Sequence, residues 1–350
     1  MDTENGISFI LPTRNRVAVL RRAVESCISL SSHGIDPLVI VIDGGSSDGS
    51  LDDMRTRYNG DRRVQLVSQC PESSGFMNAC FLGTTLVHTK FVTFMYDDDV
   101  LSPFIATMYA PVLENRAEFV MGFGRVGPVD EVIKFRPLPD PVPADPITVL
   151  EQYFGARDLP YTAVPVSPIC CLTTLDHLQE WDRRVQQFAS RGFLRRHLML
   201  GRNIGPDLML YMTGLLRSTG GVSVCYGTVA QFSTHPDSMT VRFDALDLDI
   251  GYWLARLSVF QDIVGRGDTR LAAACGGYLL ARGAAFVLRG LASRKFRYVT
   301  ALVGEVRGLT TSLLGARLML PALRRAVADA VRRATRGPTL TSLLEHSSIT

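Results

Sequence analysis

The chain has no pair of cysteines at the C-x-x-C spacing, and its seven cysteines are odd in number. Cys27, Cys70, Cys80, Cys170, Cys171, Cys225 and Cys275 sit mostly in apolar stretches, where a thiol behaves as a small hydrophobe. A disulfide framework and a structural zinc site are therefore not expected, and a reducing compartment is. The N-terminus, Met1-Asp2-Thr3-Glu4-Asn5-Gly6, is acidic and lacks the basic and apolar regions of a signal peptide. No uninterrupted apolar run approaches the roughly 18–20 residues that cross a bilayer. No internal repeat is evident. Hydrophobic residues make up 46% of the 350 and charged residues 20%, enough for a large core without covalent staples.

The net charge of +3 conceals an uneven distribution. Between Arg266 and Arg336 stand fourteen basic residues against Asp268, Glu305 and Asp329, a net of +11, which leaves −8 for the remainder. This region is rich in Ala, Leu, Gly and Arg, and helix is expected from about Ile250 onward.

The first third alternates β-branched runs with helical spacing. Ile7 to Pro12, Leu38 to Ile42, Val64 to Val67 and Phe91 to Tyr96 read as strands. Val17 to Leu30, a segment from a Ser47-Asp48 N-cap to Tyr58, and Ser74 to Val87 read as helices. Such alternation predicts βαβ units and a parallel sheet covered on both faces, with ligands beyond the carboxyl ends of its strands. Three polar clusters fall there: Pro12-Thr13-Arg14-Asn15-Arg16, Asp43 to Asp48, and Asp97-Asp98-Asp99. Adjacent aspartates after a buried strand suit a hard divalent cation, Mg²⁺ or Mn²⁺, held against a diphosphate. The plainer account of the triplet is a solvated acidic turn capping a helix.

Two patterns are set aside. Gly122-Phe123-Gly124-Arg125-Val126-Gly127 fits the dinucleotide fingerprint, but Pro128-Val129-Asp130 continues it as turn or strand instead of opening a helix. It is expected to be a glycine-rich strand bordering the acceptor side. Arg266-Gly267-Asp268 is a chance tripeptide.

The segments Ile7 to Arg16 with its Leu-Arg-Arg-Ala-Val-Glu-Ser helix, Val41 to Ser50, Ser74 to Cys80 and Phe94 to Pro103 together resemble family 2 glycosyltransferases, in the family's order. The resemblance implies a GT-A fold, a doubly wound, Rossmann-like, mostly parallel α/β sheet, with a C-terminal α-helical region appended. It implies a catalytic domain over 1–245, divided into a nucleotide-sugar half (1–127) and an acceptor half (128–245), followed by 246–350. It further implies transfer from a nucleotide-sugar, UDP-sugar first, to a hydroxyl acceptor, lipid-linked or saccharide, with inversion. No nucleic-acid partner is expected.

By the same resemblance Pro12, Thr13 and Arg16 line the nucleotide pocket and Asp43 accepts from the base. Asp97 or Asp98 touches ribose and Asp99 is the first choice as metal ligand. Tyr96 stands where another Asp is common, so either Asp97 or Asp98 can accompany Asp99. Gly205-Pro206-Asp207 matches the family's acidic motif with proline replacing the first acid. Asp207 is then the base that deprotonates the acceptor, or merely the cap of a helix opened by Pro206. His235 is expected near the metal or diphosphate, or satisfied by a local hydrogen bond, and Arg242 near the diphosphate.

Two other functions stay open: a nucleotidyltransferase, which would ordinarily carry a glycine-rich basic loop after the first strand, and an inactive GT-A scaffold acting through its basic tail. A cytoplasmic location is expected. The tail, with its runs Tyr278-Leu279-Leu280 and Leu318-Met319-Leu320, fits peripheral contact with the inner face of a membrane, or homodimerisation.

Overall fold

A computed structural model describes residues 6–70, 75–154, 167–234 and 243–335. Its contacts divide the chain into two units that interleave along the sequence. The first comprises Met1–Pro146, Pro165–Arg184 and Thr213–Pro236, and the second Ile147–Val164, Val185–Met212 and Asp237–Thr350.

The first unit holds all nine strands found among the described residues: β1 (Gly6–Thr13), β2 (Asp36–Asp43), β3 (Val64–Ser68), β4 (Phe91–Phe94), β5 (Val100–Leu101), β6 (Phe119–Pro128), β7 (Val142–Ala144), β8 (Cys171–Thr174) and β9 (Val222–Thr234). Their order is β3-β2-β1-β4-β8-β6-β9-β5, with β7 beside β9. The β3-β2-β1-β4 half is parallel, joined by helices α1 (Val17–Ile28), α2 (Ser50–Arg57) and α3 (Phe76–Leu86). Every residue of β1 and β4 is buried, because a parallel strand covered on both faces reads as one apolar run. Beyond β4 the sheet is mixed: β8 runs antiparallel to both β4 and β6, while β6 and β9 are parallel. α4 (Ile105–Leu113) packs on this half.

Two local expectations are resolved here. Gly122 to Gly127 lie inside β6, where a Cβ on Gly124 would stand 2.0 Å from the Phe232 ring of β9; these glycines admit a neighbouring side chain, not a pyrophosphate. α2 begins at Ser50 with Gly49 as its N-cap, so neither Ser47 nor Asp48 caps it. Asp48 instead accepts from the amide of Ser50 and from that of Val17, tying the starts of α1 and α2 together.

The second unit contains α5 (Pro146–Tyr153), α7 (Phe193–Arg195) with a π-helical continuation Arg196–Gly201, and α9 (Ala245–Gly265), α10 (Thr269–Ala292), α11 (Phe296–Gly315) and α12 (Met319–Thr335). Two more helices, α6 (Leu175–Ala189) and α8 (Pro206–Arg217), contribute residues to both units. The C-terminal helical region is thus present, beginning at Ala245. α10 touches α9, α11 and α12. By length and composition it could cross a membrane, with mean hydropathy 1.6 over its most apolar window, but 56% of that window is buried inside the protein. Its apolar character serves the bundle: Gly276 and Gly277 face Ala322 of α12, and Gly283 faces Trp253 of α9 and Val306 of α11.

Candidate active site

The carboxyl ends of β1, β2 and β4 converge, and their loops are laced together. Thr13 lies beside Asp43 in the β1–β2 register, and the Gly44 amide donates to the Thr13 carbonyl at 2.9 Å. Asn15, held at φ +55°, donates its amide to Ser46 Oγ at 2.8 Å and accepts from the Ser47 amide at 2.8 Å. Asn tolerates that left-handed backbone better than most residues. Asp43, 3% exposed, folds its own loop by accepting from the Gly45 and Ser46 amides. Pro12 is buried at the penultimate position of β1.

The acidic turn follows β4. Asp97 Oδ2 accepts from the Thr13 hydroxyl at 2.8 Å, and its Oδ1 lies 3.8 Å from Arg16 Nε. Asp99, 4% exposed, accepts at Oδ1 from the Ser233 amide at the end of β9, 2.9 Å away. Burial, then the charge of Asp98, pushes Asp97 up to about 7 against the opposing pull of Thr13 and Arg16. The same two causes hold Asp99 well above the usual carboxylate range. Buried and half-buried like-charged carboxylates of this kind favour a bound cation. Tyr96 is an aromatic neighbour of Phe76, with ring centroids 5.8 Å apart. Asp97 and Asp99 are thus both anchored through their carboxylates, one to β1 and one to β9, with Asp98 between them.

Among the described residues no three His, Cys, Asp or Glu side chains form a ready metal cage. Mg²⁺ and Mn²⁺ need none, since they bind through one or two carboxylates with water and substrate phosphates completing the shell. The oxygen-only set of Asp97 and Asp99 fits such an ion. His235 and Arg242 lie outside the described residues.

Arg22 was not singled out by sequence. From α1 its guanidinium donates to the carbonyls of Val129 and Asp98 and to Ser233 Oγ, the last two at 3.1 Å. One fork thereby fastens the acidic turn to the end of β9. Arg22→Lys keeps the charge but loses the planar fork. Its expected outcome is a loss of about 1–3 kcal/mol in a urea melt, from buried acceptors left unpaired, with weaker nucleotide binding by calorimetry.

Asp207 belongs to the second unit. It lies in the first turn of α8, after Pro206 at the first helical position, where the missing N–H costs nothing. Its Oδ1 accepts from the Leu208 amide at 2.8 Å, and its Oδ2 accepts from the Tyr252 hydroxyl of α9 at 3.0 Å. The side chain is half-buried, and burial raises it to about 6 although both hydrogen bonds pull downward. Tyr252 escaped sequence reasoning too. Its phenol is pushed well above its ordinary range, by burial and then by Asp207, so it stays a proton donor.

Close backbone contact sets this pair. Gly205, at φ +105°, would place a Cβ 2.6 Å from the Gly251 carbonyl, and a Cβ on Gly251 would stand 2.3 Å from Ile204 Cγ2. Gly251→Ala therefore should lower the Tm despite the gain in helix propensity, costing about 1–3 kcal/mol of overpacking strain, and should displace Tyr252 from Asp207. A thermal melt paired with an activity assay checks this.

Residues 8–180 match the model of Glycosyl transferase family 2. An uncharacterized glycosyltransferase of Haemophilus influenzae is 30% identical over 96 residues, which span 27% of this chain and 37% of that relative. Residues 1–349 of S. aureus TarS in complex with UDP-GlcNAc superpose with a TM-score of 0.57 at 13% identity, covering 88% of this chain and 91% of that one. The complex of the same protein with UDP gives 0.53 at 13% identity and the same coverage. At such identity the likeness establishes the fold, which is GT-A.

Proposed function

This chain belongs to glycosyl transferase family 2, and on that footing we propose that it moves a sugar from a nucleoside-diphosphate sugar, UDP-sugar first, to an acceptor hydroxyl with inversion. The observation that carries the reading is the convergence of Thr13, Arg16, Asp43, Asp97 and Asp99 at three parallel strand ends, where α/β sheets of this kind collect ligands. Pro12, Thr13 and Arg16 line the nucleotide, Asp43 receives the base, and Asp98 touches the ribose. Asp97 and Asp99 would hold Mg²⁺ or Mn²⁺ together with the donor phosphates. The ion, when bound, supplies positive charge where the diphosphate departs.

Asp207 accepts the proton of the attacking hydroxyl as that oxygen bonds to the anomeric carbon and the carbon–phosphate-oxygen bond breaks on the opposite face. A carboxyl near 6 is a competent base at neutral pH while remaining strong enough to take the proton. Tyr252 orients it.

The test is a thermal-shift screen of UDP, GDP and dTDP and their sugars, with and without Mn²⁺. A ligand of the native state raises its stability. A Tm rise with nucleotide that Mn²⁺ enlarges is expected. The absence of a response to every nucleotide at saturating concentration, with and without metal, sinks the proposal.

A further inference from the structure

We infer that the outward faces of α11 and α12 form a docking surface for an anionic lipid bilayer. The inference is independent of the catalytic reading and rests on burial and charge in the C-terminal bundle.

Both helices present a second apolar face where a bundle helix ordinarily turns polar. On α11, Phe296 (63% exposed), Val303 and Leu314 (60%) are exposed at steps of seven and eleven residues, which return to nearly the same helical azimuth. On α12, Leu320, Leu323 and Val327 (63%) form an equivalent stripe, while Ala322 on the other side is buried against Gly276 of α10. The runs that sequence offered for this role are partly committed elsewhere, since Leu279 and Leu318 are buried.

Charge identifies what covers the stripes. Arg307 and Arg324 fall within them, and Arg294 and Arg317 stand exposed at the ends of α11. None of the four makes an ion pair with a described residue; by contrast, Arg289 is paired with Asp249, and Lys295 with Asp244 and Asp247. From Thr269 to Ala328 the one acidic residue is Glu305, and Arg195 of α7 engages it bidentately. Among its described residues the surface thus mixes exposed apolar side chains with unneutralised guanidinium groups and offers no exposed acid.

A second copy meeting this face through the same face would oppose arginine to arginine. A polyanion would satisfy the arginines and leave Phe296, Leu314, Leu320 and Val327 in water. An anionic membrane satisfies both: the apolar side chains enter the acyl boundary, and the arginines remain at the headgroup phosphates.

Flotation of the full chain with vesicles tests the assignment. Vesicles of phosphatidylcholine mixed with phosphatidylglycerol are expected to carry the protein upward, and pure phosphatidylcholine vesicles are not. The double variant Arg307→Gln/Arg324→Gln should weaken partitioning about 25-fold, at about fivefold per arginine near the surface. Leu320→Ser/Leu323→Ser/Val327→Ser should abolish it while the chain still melts cooperatively, because these side chains stand about half or more exposed.

Failure of the wild-type chain to float with anionic vesicles overturns the proposal, whatever the variants do. So does equal flotation with neutral vesicles. A dimer in solution that the triple serine variant dissociates, without vesicle binding, would assign the face to a second copy. Retention on heparin without flotation would assign it to a polyanion.

Discussion

Asp99→Asn is expected to lower sugar transfer by about 10²–10³-fold, the scale of a metal contribution of several kcal/mol to a departing diphosphate. Asparagine keeps an oxygen for the Ser233 amide, so the turn retains its anchor to β9 while losing the charge. The variant should therefore fold and still bind UDP without metal through the β1 and β2 loops. What it should lose is the strengthening of UDP binding by Mn²⁺. Calorimetric titration of UDP into wild type and variant, each with and without Mn²⁺, separates these terms. An unchanged Mn²⁺ response together with full transfer would remove Asp99 from the ligand set.

Asp207→Asn should cost about 10²–10⁴-fold in transfer, as expected for loss of a positioned base, with donor affinity unchanged. For the wild type, kcat/KM should rise tenfold per pH unit up to about 6 and flatten above it, following deprotonation of this carboxyl. On the proposed mechanism Tyr252 acts through Asp207, and its hydrogen bond pulls that carboxyl downward. Tyr252→Phe should accordingly move the acid limb to higher pH and leave the plateau largely intact, a result that a purely structural role would not produce. Stability follows with a definite sign. The folded carboxyl sits near 6 against an ordinary 3.8, so the charged form destabilises the fold above about 6, and that cost disappears below about 4. Asp207→Asn should raise the Tm at pH 8 and leave it unchanged at pH 4. A variant inactive merely through misfolding would show the opposite at pH 8.

The parts of the fold that could be read in sequence are those whose signal is local. β1, β2 and β4 are mostly apolar because helices cover both faces, and the three polar clusters at or after their ends stand out by contrast. β8 and β9 lack such neighbours in sequence, and nothing in Cys171 to Thr174 announces a strand antiparallel to both its partners. Within the candidate site, Thr13, Asp43, Asp97 and Asp99 were visible because they end or follow strands. Arg22 was not, since its partners lie 76, 107 and 211 residues away and an arginine on an amphipathic helix looks like any solvated one. Tyr252 was hidden for the same reason, 45 residues from Asp207 in a helix of weak amphipathic character. Adjacent aspartates also look equivalent in a string, and only the fold points Asp97 at β1 and Asp99 at β9.

The anchor of Asp99 on Ser233 also orders events in time. The two residues are 134 positions apart, so during synthesis the three aspartates emerge long before the amide that serves the most buried of them. Arg22, made early, likewise waits for Ser233 to complete its fork. A nascent chain that has built β1 to β4 therefore holds an acidic turn in which Asp97 has Thr13 and Arg16 but Asp99 still lacks its amide, and domains fold as units as they leave the ribosome. The turn acquires its last anchor only when β9 arrives, so on the proposed reading metal binding is one of the last properties this polypeptide gains.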